Sequence, residues 1–201
     1  MNNIKNEFLL PTQIVSGELD NFELIQDKLI DWIYRYKNRN IQSDYKSNCG
    51  GWQNRDKNFY TAESFSKYYK IIQKSILDLI SEYKFDLPLN INISSMWINI
   101  NPKYAYNQKH THAYSNISGV FWLKVPENSG SFCFEMPDLF DIHFLMKTQE
   151  KHIVEHGLHP CYEIFPKEGS MILFPSYMPH YVGQNLSESD RISIAFNLTI
   201  Q

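Results

Sequence analysis

Two histidines separated by one residue, His110 and His112, are the part of the sequence best suited to chemistry. On a β-strand, alternate side chains point to the same face, and their Cα atoms lie about 7 Å apart. Two imidazoles in that arrangement can bind one metal ion. A pair of ordinary surface histidines explains the same spacing, and this alternative is favoured for an isolated His-x-His motif.

A later segment adds a third histidine and a candidate anion-binding pair. His180 follows an apolar run, and Arg191 and Ser193 come shortly after it. Alternation places Arg191 and Ser193 on one face of the last predicted strand. The planar guanidinium of an arginine binds both oxygens of a carboxylate, and a serine hydroxyl can add a hydrogen bond. Alone, such a pair is typical of a surface strand; together with three histidines it indicates a metal site beside a carboxylate site.

Two amphipathic helices followed by short strands are predicted to position these residues. Apolar side chains recur every three or four positions from Phe22 to Tyr36 and from Phe65 to Tyr83. From Asn90 onward, β-rich runs alternate with turn signals, which favours a mainly β sandwich or jelly roll supported by N-terminal helices. Residues 136–160 follow neither period and are expected to form a lid or a disordered loop. The predicted strands are 91–100, 117–125, 131–135, 162–165, 170–174 and 191–200.

Composition indicates a single domain, 1–201, with 1–88 as helical support and 89–201 as the β core. The chain has 201 residues, 43% of them hydrophobic, and a formal net charge of -3. This charge argues against a nucleic-acid partner, and the longest apolar runs are far shorter than the roughly 20 residues of a membrane span. Three cysteines without a C-x-x-C motif favour a reducing, cytoplasmic location, which would be the host cytoplasm if the protein is viral.

The combined motifs resemble the Fe(II)- and 2-oxoglutarate-dependent oxygenases, and more closely a group of these from marine bacteria and their phages. The resemblance covers about residues 50 to 200 and implies a double-stranded β-helix, the cupin-like form of the jelly roll, related to the prolyl hydroxylases. The matching residues are Gly50 to Gln53, Trp97, Asn99, Asn101, His110, His112, Asn116, Ser118 to Val120, Gly169 to Ser176, His180, Arg191, Ser193, Phe196 and Asn197.

The resemblance implies an iron site that departs from the family pattern at one position. His110 takes the position of the first ligand and His180 that of the distal ligand. His112 stands where the family has Asp or Glu, so three-histidine ligation is expected. In the alternative, His112 lies beside the site and a carboxylate from Glu135 or Asp138 completes it.

The resemblance also assigns residues to the co-substrate. Arg191 and Ser193 would bind the distal carboxylate of 2-oxoglutarate. Asn116, Ser118 and Asn99 are candidate polar residues of the pocket, and the first two are further candidates for binding the co-substrate. Hydrogen bonding within turns or strands explains them at least equally well. Many family members have a co-substrate tyrosine where this chain has Phe121-Trp122, which leaves more of the carboxylate binding to the Arg/Ser pair. No catalytic side chain beyond the metal ligands is expected.

The implied activity is hydroxylation of a C–H bond in a peptide or small molecule, with O2 and 2-oxoglutarate consumed and succinate and CO2 released. Two alternatives remain open. One is a cupin-like metalloenzyme with three histidines and no 2-oxoglutarate, in which Arg191 and Ser193 are structural. The other is a non-catalytic jelly-roll module that binds a partner or serves as a viral structural component. A homodimer is one option for its assembly.

Two further segments have open interpretations. The glycine pair and tryptophan of Gly50 to Gln53 could form part of the substrate entrance or a structural turn with a core tryptophan. His152, His156 and His159 could bind a second metal, but a polar lid is the favoured explanation because Gly157 and Pro160 interrupt any helix there.

Overall fold

The computed structural model describes residues 12–83, 90–135 and 161–201. The predicted loop 136–160, with Asp138, His152, His156 and His159, lies outside the described residues. The α-helices are α1 (Gln26–Arg39) and α2 (Ser66–Ile80), with 3-10 helices at Phe22–Leu24, Phe59–Thr61, Glu63–Phe65 and Ser81–Tyr83. The strands are β1 (Val15–Glu18), β2 (Asn48–Cys49), β3 (Trp52–Gln53), β4 (Ile91–Asn101), β5 (Tyr106–His110), β6 (Ile117–Lys124), β7 (Phe132–Glu135), β8 (Cys161–Ile164), β9 (Ser170–Pro175), β10 (His180–Val182) and β11 (Arg191–Ile200).

These strands form two antiparallel sheets. The larger sheet has the order β1-β9-β6-β11-β4-β3, and the smaller one has the order β2-β5-β10-β7-β8. Side chains from both sheets meet in one apolar cluster between them, formed by Val120, Trp122, Phe132, Phe134, Ile172, Phe174 and Met178. This architecture confirms the predicted mainly β jelly roll with N-terminal helices.

Side chains alternate along β11, so that one set faces the helices and the other set faces the smaller sheet. Ile192 and Ile194 are fully buried in the helix-facing core, whereas Arg191 and Ser193 point to the other side. In the antiparallel register with β4, Arg191 lies opposite Asn101 and Ser193 lies opposite Asn99. Arg191 and Ser193 therefore lie on one face of β11, as predicted, and this face is directed at the smaller sheet.

The two helices cover the outer side of the larger sheet. Leu29 and Ile33 of α1 and Ile72 and Ile76 of α2 are at most 1% exposed within this core. Burial of each such side chain stabilises the fold by about 1.5–3 kcal/mol. The helical stripes in the sequence are therefore core residues, as predicted. Within the described ranges, no helix is long and apolar enough to cross a membrane.

The first 88 residues contribute strands as well as helices. β1 pairs with β9, β2 with β5, and β3 with β4, so the segment predicted to be helical support also forms both edges of the larger sheet and one edge of the smaller sheet. These strands have only two to four residues. Such short segments carry no recognisable period-2 pattern, and their pairing is decided by tertiary contacts.

Gly119 permits close packing of β6 on the helix-facing core. A Cβ at this position would lie 2.4 Å from Cζ of Phe196 and 2.7 Å from Cδ2 of Leu173. We expect Gly119→Ala to lower the free energy of unfolding by about 1–3 kcal/mol, because overpacking forces neighbouring side chains to shift. Urea denaturation measures this difference. Gly17→Ala is the matched control, since its Cβ would meet only the flexible end of Leu79; an equal loss in both variants would contradict the packing argument.

Candidate metal centre and co-substrate cavity

Three histidines converge between the two sheets. His110 and His180 lie opposite each other on the paired strands β5 and β10. His112 follows two residues beyond His110, and its backbone N–H donates to the carbonyl of Ser176 at 2.9 Å. The ligand nitrogens of the three histidines all lie within 4.8 Å of one another. The structure thus brings the distant histidine together with the His-x-His pair.

The spacing of the imidazoles suits a single metal ion. Nε2 of His112 and Nε2 of His180 are 3.2 Å apart. Two nitrogens bound at right angles, each about 2.1 Å from one ion, lie about 3.0 Å apart. The ring centroid of His110 is 4.3 Å from that of His180 and 5.0 Å from that of His112. Three donors on one side of an ion leave its remaining coordination positions open to other ligands.

Backbone carbonyls select the imidazole tautomers. Nδ1 of His110 lies 2.7 Å from the carbonyl of Gln108, and Nδ1 of His180 lies 2.9 Å from the carbonyl of Met178. A carbonyl only accepts hydrogen bonds, so each Nδ1 carries the hydrogen and donates it. Each Nε2 then keeps its lone pair for a metal, as is usual for metal-binding histidines. These acceptors were not predicted, because any residue provides a backbone carbonyl.

Burial keeps the three imidazoles neutral. His180 is only 3% exposed, and its ring stacks on Phe132 with centroids 5.3 Å apart. Burial, with His110 nearby, lowers the pKa of His112 to about 4 and the pKa of His180 to about 3. Burial also lowers the pKa of His110. A pKa below the ordinary value favours the uncharged ring at neutral pH, and this is the form that binds metals.

Among the described residues, no carboxylate belongs to this cluster. Glu135, which was one alternative to His112, instead forms an ion pair with Lys109 at 2.9 Å. The other alternative, Asp138, lies outside the described residues. The described geometry therefore favours His112 over Glu135 as the third donor.

Arg191 is buried and has an unpaired nitrogen. The residue is 1% exposed, and its Nη1 donates to the carbonyls of Ser129 and Gly183. Its Nη2 has no hydrogen-bond partner, and none of the described carboxylates forms an ion pair with it. Burial lowers the pKa of Arg191 to about 10, so the group is still charged at neutral pH. A buried charge without a counter-charge is costly, and the side chain therefore fits an anionic ligand.

One cavity between the sheets connects Arg191 with the three histidines. Ser193 and Asn99 lie on its polar side, where the amide of Asn99 donates to Oγ of Ser193 at 3.5 Å. Trp122 and Phe174 form part of its apolar side. Of the Phe121-Trp122 pair, Trp122 lines the cavity and Phe121 belongs to the helix-facing core. The cavity thus places three metal donors and one anion-binding group around the same space.

A family model described as "Putative 2OG-Fe(II) oxygenase" matches residues 95–197, just over half of the chain. The chain belongs to the 2OG-Fe(II) oxygenase family. Its cofactor is therefore Fe(II), and its co-substrates are 2-oxoglutarate and O2. The imidazole donor set suits iron. A search among curated protein sequences finds no match.

Solved structures show the same fold for this oxygenase. A prolyl hydroxylase from Trichoplax adhaerens, in complex with a hypoxia inducible factor peptide fragment, matches with a TM-score of 0.65 and 12% identity over 92% of this chain and 83% of that one. A prolyl-4-hydroxylase from Pseudomonas putida matches with a TM-score of 0.59 and 14% identity over 92% of each chain. A Streptomyces hygroscopicus protein with nickel, 2-oxoglutarate and hygromycin B bound matches with a TM-score of 0.58 and 12% identity over 94% and 83%. At such identities the likeness shows the fold alone.

Two residues predicted to bind the co-substrate of this oxygenase are engaged elsewhere. Oδ1 of Asn116 accepts the backbone N–H of Ile200 at 2.9 Å. Oγ of Ser118 lies 2.8 Å from Oγ of Ser176 and donates to Oδ1 of Asn197 at 2.8 Å. Neither Asn116 nor Ser118 lines the cavity that holds Arg191. These contacts support hydrogen bonding within turns or strands, the other explanation left open by the sequence.

A groove of about 510 Å³ opens beside the histidines of the oxygenase. It shares Trp97, His110 and His112 with the cavity, and the ring of Trp97 lies 5.4 Å from the ring of His112. Gln53 lines this groove, whereas Trp52 is buried in the helix-facing core. Gly50 and Gly51 thus form the turn between β2 and β3, Trp52 is a core tryptophan, and Gln53 contributes to the groove.

Proposed function

We propose that the protein is a hydroxylase in which His110, His112 and His180 bind the iron. Arg191 and Ser193 bind the distal carboxylate of 2-oxoglutarate. The observation that carries this proposal is that Arg191, whose buried Nη2 is unpaired, lines the same cavity as three neutral imidazoles. A site for a metal alone would not need this guanidinium, so the arrangement does not favour the cupin-like alternative.

The bound iron and 2-oxoglutarate supply oxidising chemistry in which one O2, one 2-oxoglutarate and one acceptor C–H give succinate, CO2 and an alcohol. The chain's own residues orient the reactants and exclude water. Arg191 holds one end of the diacid, while Trp122, Phe132 and Phe174 form an apolar wall around the histidines. Exclusion of water protects reactive species from side reactions.

Charge balance supports a dianionic co-substrate. All three protein donors are neutral, so Fe(II) keeps both of its charges, and Arg191 adds a third. The two carboxylates of 2-oxoglutarate offset most of this charge. In a buried site such opposite charges interact more strongly than they do in water.

The groove beside His110 and His112 is the proposed acceptor site. Its volume lies within the range of about 300–1,000 Å³ that is common for ligand pockets. The structural neighbours bound to a peptide fragment and to hygromycin B indicate two acceptor classes, a peptide and a small molecule. We retain both classes, because the groove is large enough for a small molecule or for part of a peptide.

The proposed function is tested by following succinate. Protein purified without oxygen is mixed with Fe(II), 2-oxoglutarate and ascorbate, and O2 is then admitted; ascorbate replaces the acceptor as the source of the two electrons that the second oxygen atom takes up. We expect slow succinate formation even without an acceptor, lost when iron or O2 is omitted. A protein that binds neither Fe(II) nor 2-oxoglutarate would overturn the proposal.

Substitution of His112 tests the third metal donor. We expect His112→Asp to bind Fe(II) with at least about tenfold higher affinity than His112→Ala. A carboxylate oxygen can take the place of the imidazole nitrogen as a metal ligand, whereas a methyl group cannot. Equilibrium dialysis of Fe(II) under anaerobic conditions measures both affinities. Equal iron retention by the two variants would show that His112 acts outside the coordination sphere.

A further inference from the structure

His112 is held in place from outside its own strand. β5 ends at His110, so His112 lies beyond the ladder that pairs β5 with β10. Its backbone N–H donates instead to the carbonyl of Ser176, the first residue after β9. The position of Ser176 therefore helps to set where the His112 imidazole lies relative to His180, whose Nε2 is 3.2 Å away.

A buried hydroxyl chain fixes Ser176 to the larger sheet. Oγ of Ser176 and Oγ of Ser118 are 2.8 Å apart, and each residue is 1% exposed. Ser118 donates its single hydroxyl hydrogen to Oδ1 of Asn197 at 2.8 Å. Because that hydrogen is used, Ser118 must accept from Ser176, which sets the direction of the chain. The amide of Asn197 in turn donates to Oγ of Ser95 at 3.2 Å.

The backbone of Ser176 is anchored on the same side. Its N–H donates to the carbonyl of Asn116 at 3.0 Å, and the N–H of Asn116 donates to the carbonyl of Leu198 at 2.9 Å. Ser118 is a polar residue of β6, and the five residues that follow it, 119–123, are all apolar or glycine. Strand pairing itself needs no hydroxyl at that position. A hydroxyl pair buried there is costly unless both members are bonded, as they are here.

We propose that Ser118 is a positioning residue that acts through Ser176 to hold His112 at the distance from His180 that one metal ion requires. The inference rests on the proposed function, since it takes His112 as a metal donor. Outer contacts of this kind commonly change metal affinity by 10- to 100-fold, roughly, when they are removed.

The test measures Co(II) binding by the wild type and by Ser118→Ala, because the absorption of Co(II) reports on its coordination. We expect Ser118→Ala to bind Co(II) about 10- to 100-fold more weakly and with an altered spectrum. Ser176→Ala removes the same hydrogen bond from the other side, keeps the carbonyl that binds His112, and should show a similar loss. Ser170→Ala is the matched control: it lies on β9, loses a 2.6 Å hydrogen bond to Lys167, and should bind Co(II) as the wild type does.

A double-mutant cycle separates positioning from a general effect on the fold. In the His112→Ala background, Ser118→Ala should cause no further loss of Co(II) affinity, because its effect passes through His112. Wild-type Co(II) affinity in Ser118→Ala would overturn the inference, and so would an equal loss of Co(II) affinity in the wild-type and His112→Ala backgrounds. Neither result would contradict the proposed metal site itself. A wild-type protein that binds no Co(II) would instead overturn the proposed function, and this inference with it.

Discussion

His180→Ala is expected to lower Fe(II) affinity by at least about 100-fold and to abolish succinate formation. His180 is the most buried of the three histidines, lies opposite His110, and places its Nε2 3.2 Å from that of His112. Its removal leaves only two protein donors, which bind the ion more weakly than three. Anaerobic equilibrium dialysis gives the affinity, and chromatography of succinate gives the turnover.

A control is needed because His180→Ala also leaves a space beside Phe132 and Phe174. Met178→Ala truncates a neighbour in the same cluster between the sheets but keeps the carbonyl that orients His180. We expect this control to lose stability and to retain Fe(II). Wild-type iron affinity in His180→Ala would show that the three histidines do not share one ion.

Arg191→Ala is expected to weaken 2-oxoglutarate binding about 100- to 1,000-fold, while Fe(II) affinity changes little. This loss equals about 2.7–4.1 kcal/mol, the lower part of the range for two hydrogen bonds to a charged group at about 1.5–3 kcal/mol each. Arg191 lines the cavity, its Nη2 has no hydrogen-bond partner, and its guanidinium contacts none of the histidines through a hydrogen bond. Anaerobic calorimetry with Fe(II)-loaded protein measures the dissociation constant.

Arg191→Lys refines this prediction. Lysine keeps the charge but lacks the planar guanidinium. We therefore expect the 2-oxoglutarate affinity of Arg191→Lys to lie between those of the wild type and Arg191→Ala. Both variants lose contacts with the carbonyls of Ser129 and Gly183, and both should therefore unfold at lower temperature. The cupin-like alternative predicts unchanged 2-oxoglutarate binding and activity in both variants, and that result would contradict the proposed role of Arg191.

Local periodicity predicted the elements with long, regular patterns. β11 has ten residues, and its alternation correctly placed Arg191 and Ser193 on one face. The helical stripes were equally regular and proved to be core. The strands β5 and β10, which carry His110 and His180, were not predicted. β5 is mostly polar and β10 has three residues, so their strand character comes from pairing with each other and with β2 and β7.

The convergence of the site could not be predicted from spacing alone. His180 meets His110 because β10 lies beside β5, and strand order of this kind is a property of the whole fold. The residue types indicated a metal site, and the family resemblance assigned each histidine its ligand position. Polar residues such as Asn116 and Ser118 were ambiguous because a strand pattern does not distinguish a ligand contact from a hydrogen bond between strands.

Visible absorption under anaerobic conditions tests the central claim most directly. If His110, His112 and His180 hold one Fe(II) and Arg191 holds 2-oxoglutarate beside it, adding both to the wild-type protein should produce a weak charge-transfer band that saturates at one equivalent of each. The band should be absent from His180→Ala and should need far more 2-oxoglutarate in Arg191→Ala. A wild-type protein that binds Fe(II) but shows no band at saturating 2-oxoglutarate would contradict the account.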